Sequence, residues 1–454
     1  MAHSSRPEPI RPRWTHRLTE NPLVQVLSIR DFRLLWIGAF FSFTGSWIQN
    51  VAQGYLVYQL TRDESKLALV SAASSIQVLI LGLFAGSLAD RYDMRRVLIL
   101  CQLAFGFAAL YLAAATHFAF VSFEQIVAVA ALLGCVASVE MPTRQSIVSR
   151  VVDPDKLAIA VPVQAMTFNS ARIIGPAIGG LLLARVGPAL CYSINACTYL
   201  VLISCVVGIG KPLTATGNRD QNWRDSLLEG TRYIRQSPPL RTLLVMESLT
   251  AVFGIFLVPL IPAYVDQVLR ISTSTDAGKI AIGNSFTAVG VGALTALLTL
   301  TQTSDHARKT RWMRTGMVAI AVGLVILATA PPVPVAYAAM AVMGGCTIMQ
   351  FNSTNAMFQI LAPDKLRARV LSVHVWALNG FSPFGVMILG NVARQSSKGG
   401  PIIPGMWSGV PLALSLGAVG MLGGALWGYR NRDAFKDLNA HAAEKIGQSA
   451  EMRR

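Results

Sequence analysis

The 454-residue chain is short of charge. Asp, Glu, Lys and Arg together make up 14% of it, while 53% is apolar. An ordinary soluble domain carries roughly a quarter charged residues. Too few polar side chains remain to cover a soluble surface, so a soluble globule is excluded. Disorder and a collagen-like repeat are excluded as well. Cysteine is also scarce. Cys101, Cys135, Cys191, Cys197, Cys205 and Cys346 all lie in apolar runs and form no CxxC pair, so the sequence indicates neither a disulfide framework nor a zinc site. The six histidines are scattered, with no HExxH motif. A P-loop, a nucleophile elbow and a connection long enough for a catalytic domain are all missing. These absences argue against an enzyme, against ATP as a direct energy source, and for a chain that needs no cofactor. Residues 1–33 are polar and Arg-rich, without a short apolar core or cleavage site, so no removable signal peptide is expected.

Long apolar runs are what the chain does have. A bilayer core of about 30 Å takes about 20 apolar residues per helix. That length predicts twelve transmembrane helices, at 34–60, 67–89, 97–116, 123–144, 157–184, 187–209, 241–266, 280–303, 313–331, 333–361, 369–393 and 402–429. The runs are too long and too uniformly apolar for barrel strands. The expected fold is therefore an all-α integral membrane protein. An even number of spans puts both termini on one side. Of the 39 Lys and Arg residues, 31 fall on the side of the tails and of the 211–240 linker, seven on the other, and Arg172 inside a span. The positive-inside rule makes the first side cytoplasmic. The net charge of +16 then faces an anionic leaflet, and nucleic acid need not be invoked.

The chain also resembles itself. Asp153-Pro154-Asp155-Lys156-Leu157 after the fourth span and Ala362-Pro363-Asp364-Lys365-Leu366 after the tenth match at four of five positions, 209 residues apart. Phe32-Arg33-Leu34-Leu35 echoes the approach to the seventh span, Leu240-Arg241-Thr242-Leu243-Leu244, and Gly45 pairs with Gly254 at the same offset. The expected organisation is a tail (1–33), a six-helix bundle (34–210), a cytoplasmic linker (211–240), a second bundle (241–429) and a tail (430–454). Two parallel bundles related by an axis along the membrane normal can rock about a midplane site.

The connection Gly86-Ser87-Leu88-Ala89-Asp90-Arg91-Tyr92-Asp93-Met94-Arg95-Arg96 resembles the loop signature of the major facilitator superfamily, G-x-L-A-D-R-x-G-R-R. Gly86 would permit close helix approach, Asp90 would accept hydrogen bonds at a helix end, and Arg91 and Arg95 would pair across the cytoplasmic face. Asp93 stands where glycine is usual and is expected to tolerate the left-handed turn. In the fifth span, Gly175-Pro176-Ala177-Ile178-Gly179-Gly180 resembles the antiporter motif of drug-exporting members, although Gln164 and Ala171 replace two earlier glycines. Pro176 invites a kink, and the glycines let a neighbouring helix slide close. Asp31-Phe32-Arg33-Leu34-Leu35-Trp36, Pro142-Thr143-Arg144-Gln145 and Ala171-Arg172-Ile173-Ile174-Gly175-Pro176 resemble the branch of enterobactin exporters and drug:proton antiporters, the transmembrane secretion effectors. The resemblance implies a cavity lined by spans one, four, seven and ten, and a monomer.

Ionisable groups inside spans are costly and therefore candidates for function. Arg172 reads as an anion-binding or relay residue, or as the partner of a carboxylate or carbonyl on a neighbouring span. Glu140 and Arg144, four apart on one helix face, read as an inner gate or as a local ion pair. Glu247 is the candidate for proton coupling, because an apolar surround favours its proton-bearing form; the alternative is a surface carboxylate. Gln49, Asn50 and Gln53 in the first span, Gln350, Asn352 and Asn355 in the tenth, and His374 and Asn379 in the eleventh are polar candidates for the cavity. Gln49, Gln53, Asn352 and Asn355 rank highest. The expected function is secondary-active efflux of a small amphiphilic or anionic molecule, siderophore- or drug-like, across the bacterial inner membrane. The mechanism would be alternating access, driven by a proton gradient. A symporter importing a nutrient or lipid is the alternative.

Overall fold

The computed structural model describes residues 22–89, 92–153, 156–213, 223–301, 306–363, 366–398 and 408–433. Among these residues there are helices and turns but no strand. The helices are α1 (Pro22–Leu27), α2 (Arg30–Thr61), α3 (Glu64–Ala89), α4 (Met94–His117), α5 (Phe123–Val151), α6 (Leu157–Val207) and α7 (Trp223–Gln236). They continue with α8 (Pro238–Phe253), α9 (Leu257–Gln267), α10 (Asp276–Thr301), α11 (His306–Ala328), α12 (Val333–Leu361), α13 (Arg367–Lys398) and α14 (Val410–Arg430). Among the described residues, nine segments are long and apolar enough to cross a membrane. Large side chains such as Leu100, Phe107, Val419 and Leu426 stand exposed on their outer faces. Such a surface belongs in lipid rather than water.

Local chemistry sets the ends of several helices. Asp93 caps α4, its Oδ1 accepting from the N–H groups of Arg95 (2.9 Å) and Arg96 (3.1 Å). Its φ of −61° is extended. The expected left-handed turn at Asp93 is therefore not formed, and the carboxylate serves as an N-cap instead. Ser122 and Gln125 form a reciprocal capping box at the start of α5. The spans expected at 157–184 and 187–209 run together in α6, whose non-helical residue is Gly187 at φ 77°. The chain stays helical through Pro176, so the break falls at the glycine that can adopt positive φ and not at the proline. The seventh span, expected as one helix over 241–266, is broken at 254–256 between α8 and α9. Pro259 and Pro262 cannot donate to carbonyls one turn earlier, and Gly254 lowers the cost of the break.

The segment expected to be a plain linker holds α7, which packs on α13. Gly230 meets the backbone of Arg369, and Glu229 pairs with Arg369. At the same end of the molecule, Asp31 at the start of α2 accepts from the N–H groups of Gly210 (3.1 Å) and Lys211 (2.9 Å). Partial burial pushes its carboxyl up. The hydrogen bonds from Gly210 and Lys211 and the charges of Arg30 and Lys211 outweigh that, and hold it below the ordinary 3.8. A carboxyl lowered in the folded state stabilises it above the unfolded value, and the contribution is lost as pH falls through the folded value. Asp31→Asn is therefore expected to lower the thermal midpoint in detergent at pH 7 and to flatten its decline in acid; an unchanged melting profile across pH would count against this tie.

Apolar clusters are distributed unevenly between the two ends. At the end carrying α1 and the start of the 211–240 segment, one cluster consists only of residues between Val26 and Leu213, among them Phe32, Leu35, Leu98, Ile147 and Leu202. At the opposite, far end, clusters join the two halves of the chain. Ile48, Val51 and Leu183 pack with Ile261, Val265 and Ile282, and Tyr58 and Leu67 share a cluster with Leu257, Leu260 and Leu389. Polar contacts reinforce the far seam: Tyr58 Oη donates to Asp266 (3.1 Å), Gln59 to Thr273 (2.9 Å), and Arg394 pairs with Asp63 (2.8 Å). Arg62 also pairs with Asp266 (3.2 Å).

Candidate functional site

Two faces of α2 divide the labour around the interior. Ser42, Ser46 and Gln49 lie on one face, at the i, i+4, i+7 spacing of a helix. Ser46 shares a hydrogen bond with Tyr199 (3.2 Å), and Gln49 Oε1 accepts from Asn195 (2.6 Å), which also reaches Tyr199 (3.1 Å). Gln49 is thus buried against the second part of α6 and joins two helices. Gly45 sits among these groups, with Asn195 and Thr198 against the place a Cβ would take.

Phe43 and Trp47 occupy the other face. The Phe43 and Phe168 rings meet edge to face at 5.1 Å, and Trp47 lies 6.4 Å from Phe168. The Arg144 guanidinium covers Phe43 at 4.4 Å, and that of Arg172 covers Trp47 at 5.8 Å. Both distances suit cation–π attraction. Arg144 Nε donates to Glu140 at 2.6 Å, and Glu140 also accepts from Gln102 (3.4 Å), which in turn meets Ser42 (3.5 Å). Glu140 and Arg144 therefore form the local ion pair that was one of the two expectations, buried within α5 and tied to α4 and α2. Removing one partner of a buried pair costs about 3–5 kcal/mol, whereas replacing both with apolar groups is often neutral. Glu140→Gln is expected to lower the thermal midpoint sharply, and Glu140→Gln combined with Arg144→Met to recover most of the loss. Equal destabilisation in the two variants would refute the assignment.

Arg172 differs. It has no hydrogen bond or ion pair among the described residues, and its ring contact is Trp47. One turn further along α6, the glycines take up their places. Gly175 abuts Trp47 Cβ and the Thr44 carbonyl, and Gly179 abuts Ile48 of α2. Gly180 faces the other way, toward Gly283 of α10, and a Cβ on it would lie 2.6 Å from Gly283 Cα. The G-P-x-x-G-G segment thus lets α6 lie close to two helices at once, one from each half of the chain.

A second buried pair lies in the C-terminal half. Glu247 of α8 is 1% exposed and His374 of α13 is 0% exposed. His374 Nδ1 lies 2.5 Å from Glu247 Oε2. Phe358 and Phe351 of α12 stack on the imidazole at 4.7 and 5.9 Å. Gln350, also buried, donates to Thr250 at 2.7 Å, linking α12 to α8 beside the pair. Glu247 is accordingly not a surface carboxylate. His374, singled out in the sequence only as a polar residue, is its partner across two helices, a relation that their long separation along the chain conceals.

The remaining candidates are dispersed. Gln53 is half-buried on α2. Asn352 donates to the Ile348 carbonyl of its own helix (2.9 Å), and Asn355 accepts from Gln359 (3.3 Å). Arg95 donates to the carbonyls of Ile209 (2.6 Å) and Lys211 (3.2 Å), tying α4 to the segment after α6. Gly86 lies within α3; Asp90 and Arg91 lie outside the described residues, as does the side chain of Asn379. Phe43, Trp47 and Phe168 escaped the sequence reading because aromatic residues in apolar runs read as core or lipid contacts. Their i, i+4 spacing to each other (43 and 47) and to Arg172 (168) was the available signal. A groove of about 510 Å³ between α11 and α12, lined by Val318, Val322, Val335 and Val342, is apolar and lies away from all of these charged groups.

Comparison with known proteins gives the lineage. Residues 22–448 match the family model described as transmembrane secretion effector. The multidrug efflux pump Tap of Mycolicibacterium fortuitum is 26% identical over 82% of this chain and 89% of its own. The enterobactin exporter EntS of Shigella flexneri is 26% identical over 61% of this chain and 64% of its own. The staphyloferrin A transporter of Staphylococcus aureus is 28% identical over 37% and 43%. Among solved structures, the nucleoside transporter NupG superposes with a TM-score of 0.67 at 15% identity, covering 89% of this chain and 99% of that one. The D-xylose–proton symporter gives 0.65 at 14% identity, over 87% and 97%. Those likenesses concern the fold. With nine membrane-length segments, a family model spanning nearly the whole chain and transporters throughout its relatives, the chain is a multi-pass membrane transporter of the major facilitator superfamily and belongs to its transmembrane secretion effector family.

Proposed function

We propose that the chain is a secondary-active exporter of a small amphiphilic or anionic molecule, working by alternating access and driven by proton antiport. In this reading it acts as a monomer and crosses the bacterial inner membrane twelve times, with both termini cytoplasmic. Residues 34–210 and 241–429 form two six-helix halves, and the 211–240 segment joins them on the cytoplasmic side. The sequence repeat that pairs Gly45 with Gly254 favours that duplication. Gly45 faces the second part of α6 and Gly254 faces Met421 of α14, the last span of each half.

The observation that carries the reading is the seam at the far end, the end at which the described apolar clusters join the two halves. The halves meet at the far end through Gly180 and Gly283, through Arg394 and Asp63, and through shared apolar clusters. At the linker end the first half keeps an apolar cluster of its own. That is the arrangement expected of a transporter closed on one side. Efflux is favoured by the names of the relatives, a multidrug efflux pump and an enterobactin exporter. The Glu247–His374 pair suits the coupling role, since two ionisable side chains buried together inside spans are costly and mark a candidate proton site.

Direction and coupling can be tested together in proteoliposomes with an imposed pH gradient, using a radiolabelled amphiphilic anion such as 1-naphthoate. Antiport accumulates the probe in the acid compartment whichever way the protein is inserted. Accumulation in the alkaline compartment beyond that in protein-free liposomes, where the permeant neutral acid already collects as its anion, would mean symport, and no difference from protein-free liposomes would remove proton coupling.

A further inference from the structure

Resting on the exporter reading, we propose that Arg172, Trp47 and Phe168 form the recognition site for a planar aromatic anion. The anionic group would sit on the Arg172 guanidinium and the ring against Trp47 and Phe168, with Phe43 extending the aromatic surface toward Arg144.

The argument is one of charge and shape. Four contacts run in an unbroken line from Arg144 to Phe43 (4.4 Å), Phe43 to Phe168 (5.1 Å), Phe168 to Trp47 (6.4 Å) and Trp47 to Arg172 (5.8 Å). The cations at its two ends are not equivalent. Glu140 neutralises Arg144, whereas Arg172 has no hydrogen bond or ion pair among the described residues. A guanidinium inside a span without a counter-ion is costly, and an anionic ligand removes that cost. Its fork geometry suits a carboxylate, which can accept two parallel hydrogen bonds. The strip is also accessible. Phe168 is 40% exposed, Trp47 and Arg172 are partly exposed, and Asn50, one turn beyond Trp47, is an exposed polar residue of α2. Offset or edge-to-face stacking on Trp47 and Phe168 adds to burial for a flat ring but not for an aliphatic chain of equal size. A cationic aromatic compound would face the repulsion of Arg172. The chemistry therefore selects both a ring and a negative charge on the same ligand.

Arg144 is a positioning residue in this scheme. Its charge is spent on Glu140, and its plane covers Phe43, holding the end of the strip in place.

Isothermal titration of the full-length protein in nanodiscs tests the site with three probes: 1-naphthoate, 1-naphthamide and cyclohexanecarboxylate. The first carries ring and charge, the second the ring alone, the third the charge alone. The wild-type protein is expected to bind 1-naphthoate about tenfold more tightly than either of the others, the size of one charge-assisted hydrogen-bonded contact. Arg172→Gln should bring 1-naphthoate and 1-naphthamide to equal affinity, and Trp47→Leu should bring 1-naphthoate and cyclohexanecarboxylate together. Arg172→Lys should retain part of the charge preference. Equal or absent binding of all three by the wild type would overturn the proposal without reference to any variant, as would an Arg172→Gln protein that still prefers the anion. The exporter reading fails separately. Selective binding without gradient-driven accumulation would leave the site standing and remove proton-driven export. Accumulation of another probe, indifferent to Arg172→Gln and Trp47→Leu, would do the reverse.

Discussion

Gly180→Leu is expected to reduce transport by about fivefold or more and to open the far side of the molecule to solvent. A Cβ at this position would lie 2.6 Å from Gly283 Cα and 3.1 Å from Gly283 N. Both obstacles are backbone atoms, so no side-chain rotation relieves the clash, and α6 and α10 must separate. The reverse substitution at Gly283 meets Gly180 Cα at 2.5 Å and the Pro176 carbonyl at 2.9 Å, so it should give the same phenotype. Overpacking of this kind costs about 1–3 kcal/mol, and every 1.4 kcal/mol moves a two-state equilibrium by about tenfold. The penalty falls only on the state in which the two helices touch. The mutation should therefore shift the population away from the far-side-closed form without unfolding either half. Single cysteines near Thr273 and Arg394, reacted with a membrane-impermeant maleimide, provide the measurement. Faster labelling in the variant together with lost transport supports the seam as a gate; unchanged labelling would mean that the glycine contact does not govern access.

Glu247→Gln is expected to abolish uphill, gradient-driven transport while leaving substrate counterflow within about threefold of wild type. Counterflow exchanges labelled for unlabelled substrate and needs only the loaded protein to reorient, so it survives without a titrating group. Uphill transport needs a group that releases its proton on one side and regains it on the other, and the amide cannot. The partner at 2.5 Å is His374, closed in by Phe351 and Phe358. His374→Gln should therefore weaken driven transport and change its pH dependence, which a merely structural histidine would not do. Loss of counterflow together with driven transport would indicate a packing defect; intact driven transport would move coupling elsewhere in the molecule. In both substitutions the amide keeps the volume of the site, which limits the cavity cost.

The apolar runs marked a helical membrane protein in the sequence and the G-P-x-x-G-G segment a close helix crossing, because length and side-chain size are local properties. Helix ends were partly legible. Gly187 ends a helix where the apolar run pauses, but the break at 254–256 depends on prolines one and two turns later. The left-handed turn expected at Asp93 gave way to an N-cap, because its carboxylate had two orphan N–H groups within reach. Pairing between distant residues was illegible throughout. Nothing in the spacing of Gln49 and Asn195, Glu247 and His374, or Gly180 and Gly283 announces a contact. A helix presents several faces, and only the packing of its neighbours decides which one meets a partner, which meets lipid and which is left facing the interior. The same reasoning separates the two arginines. The carboxylate that neutralises Arg144 stands one turn away in the sequence, whereas only the packing of the helices shows that, among the described residues, none is brought to Arg172.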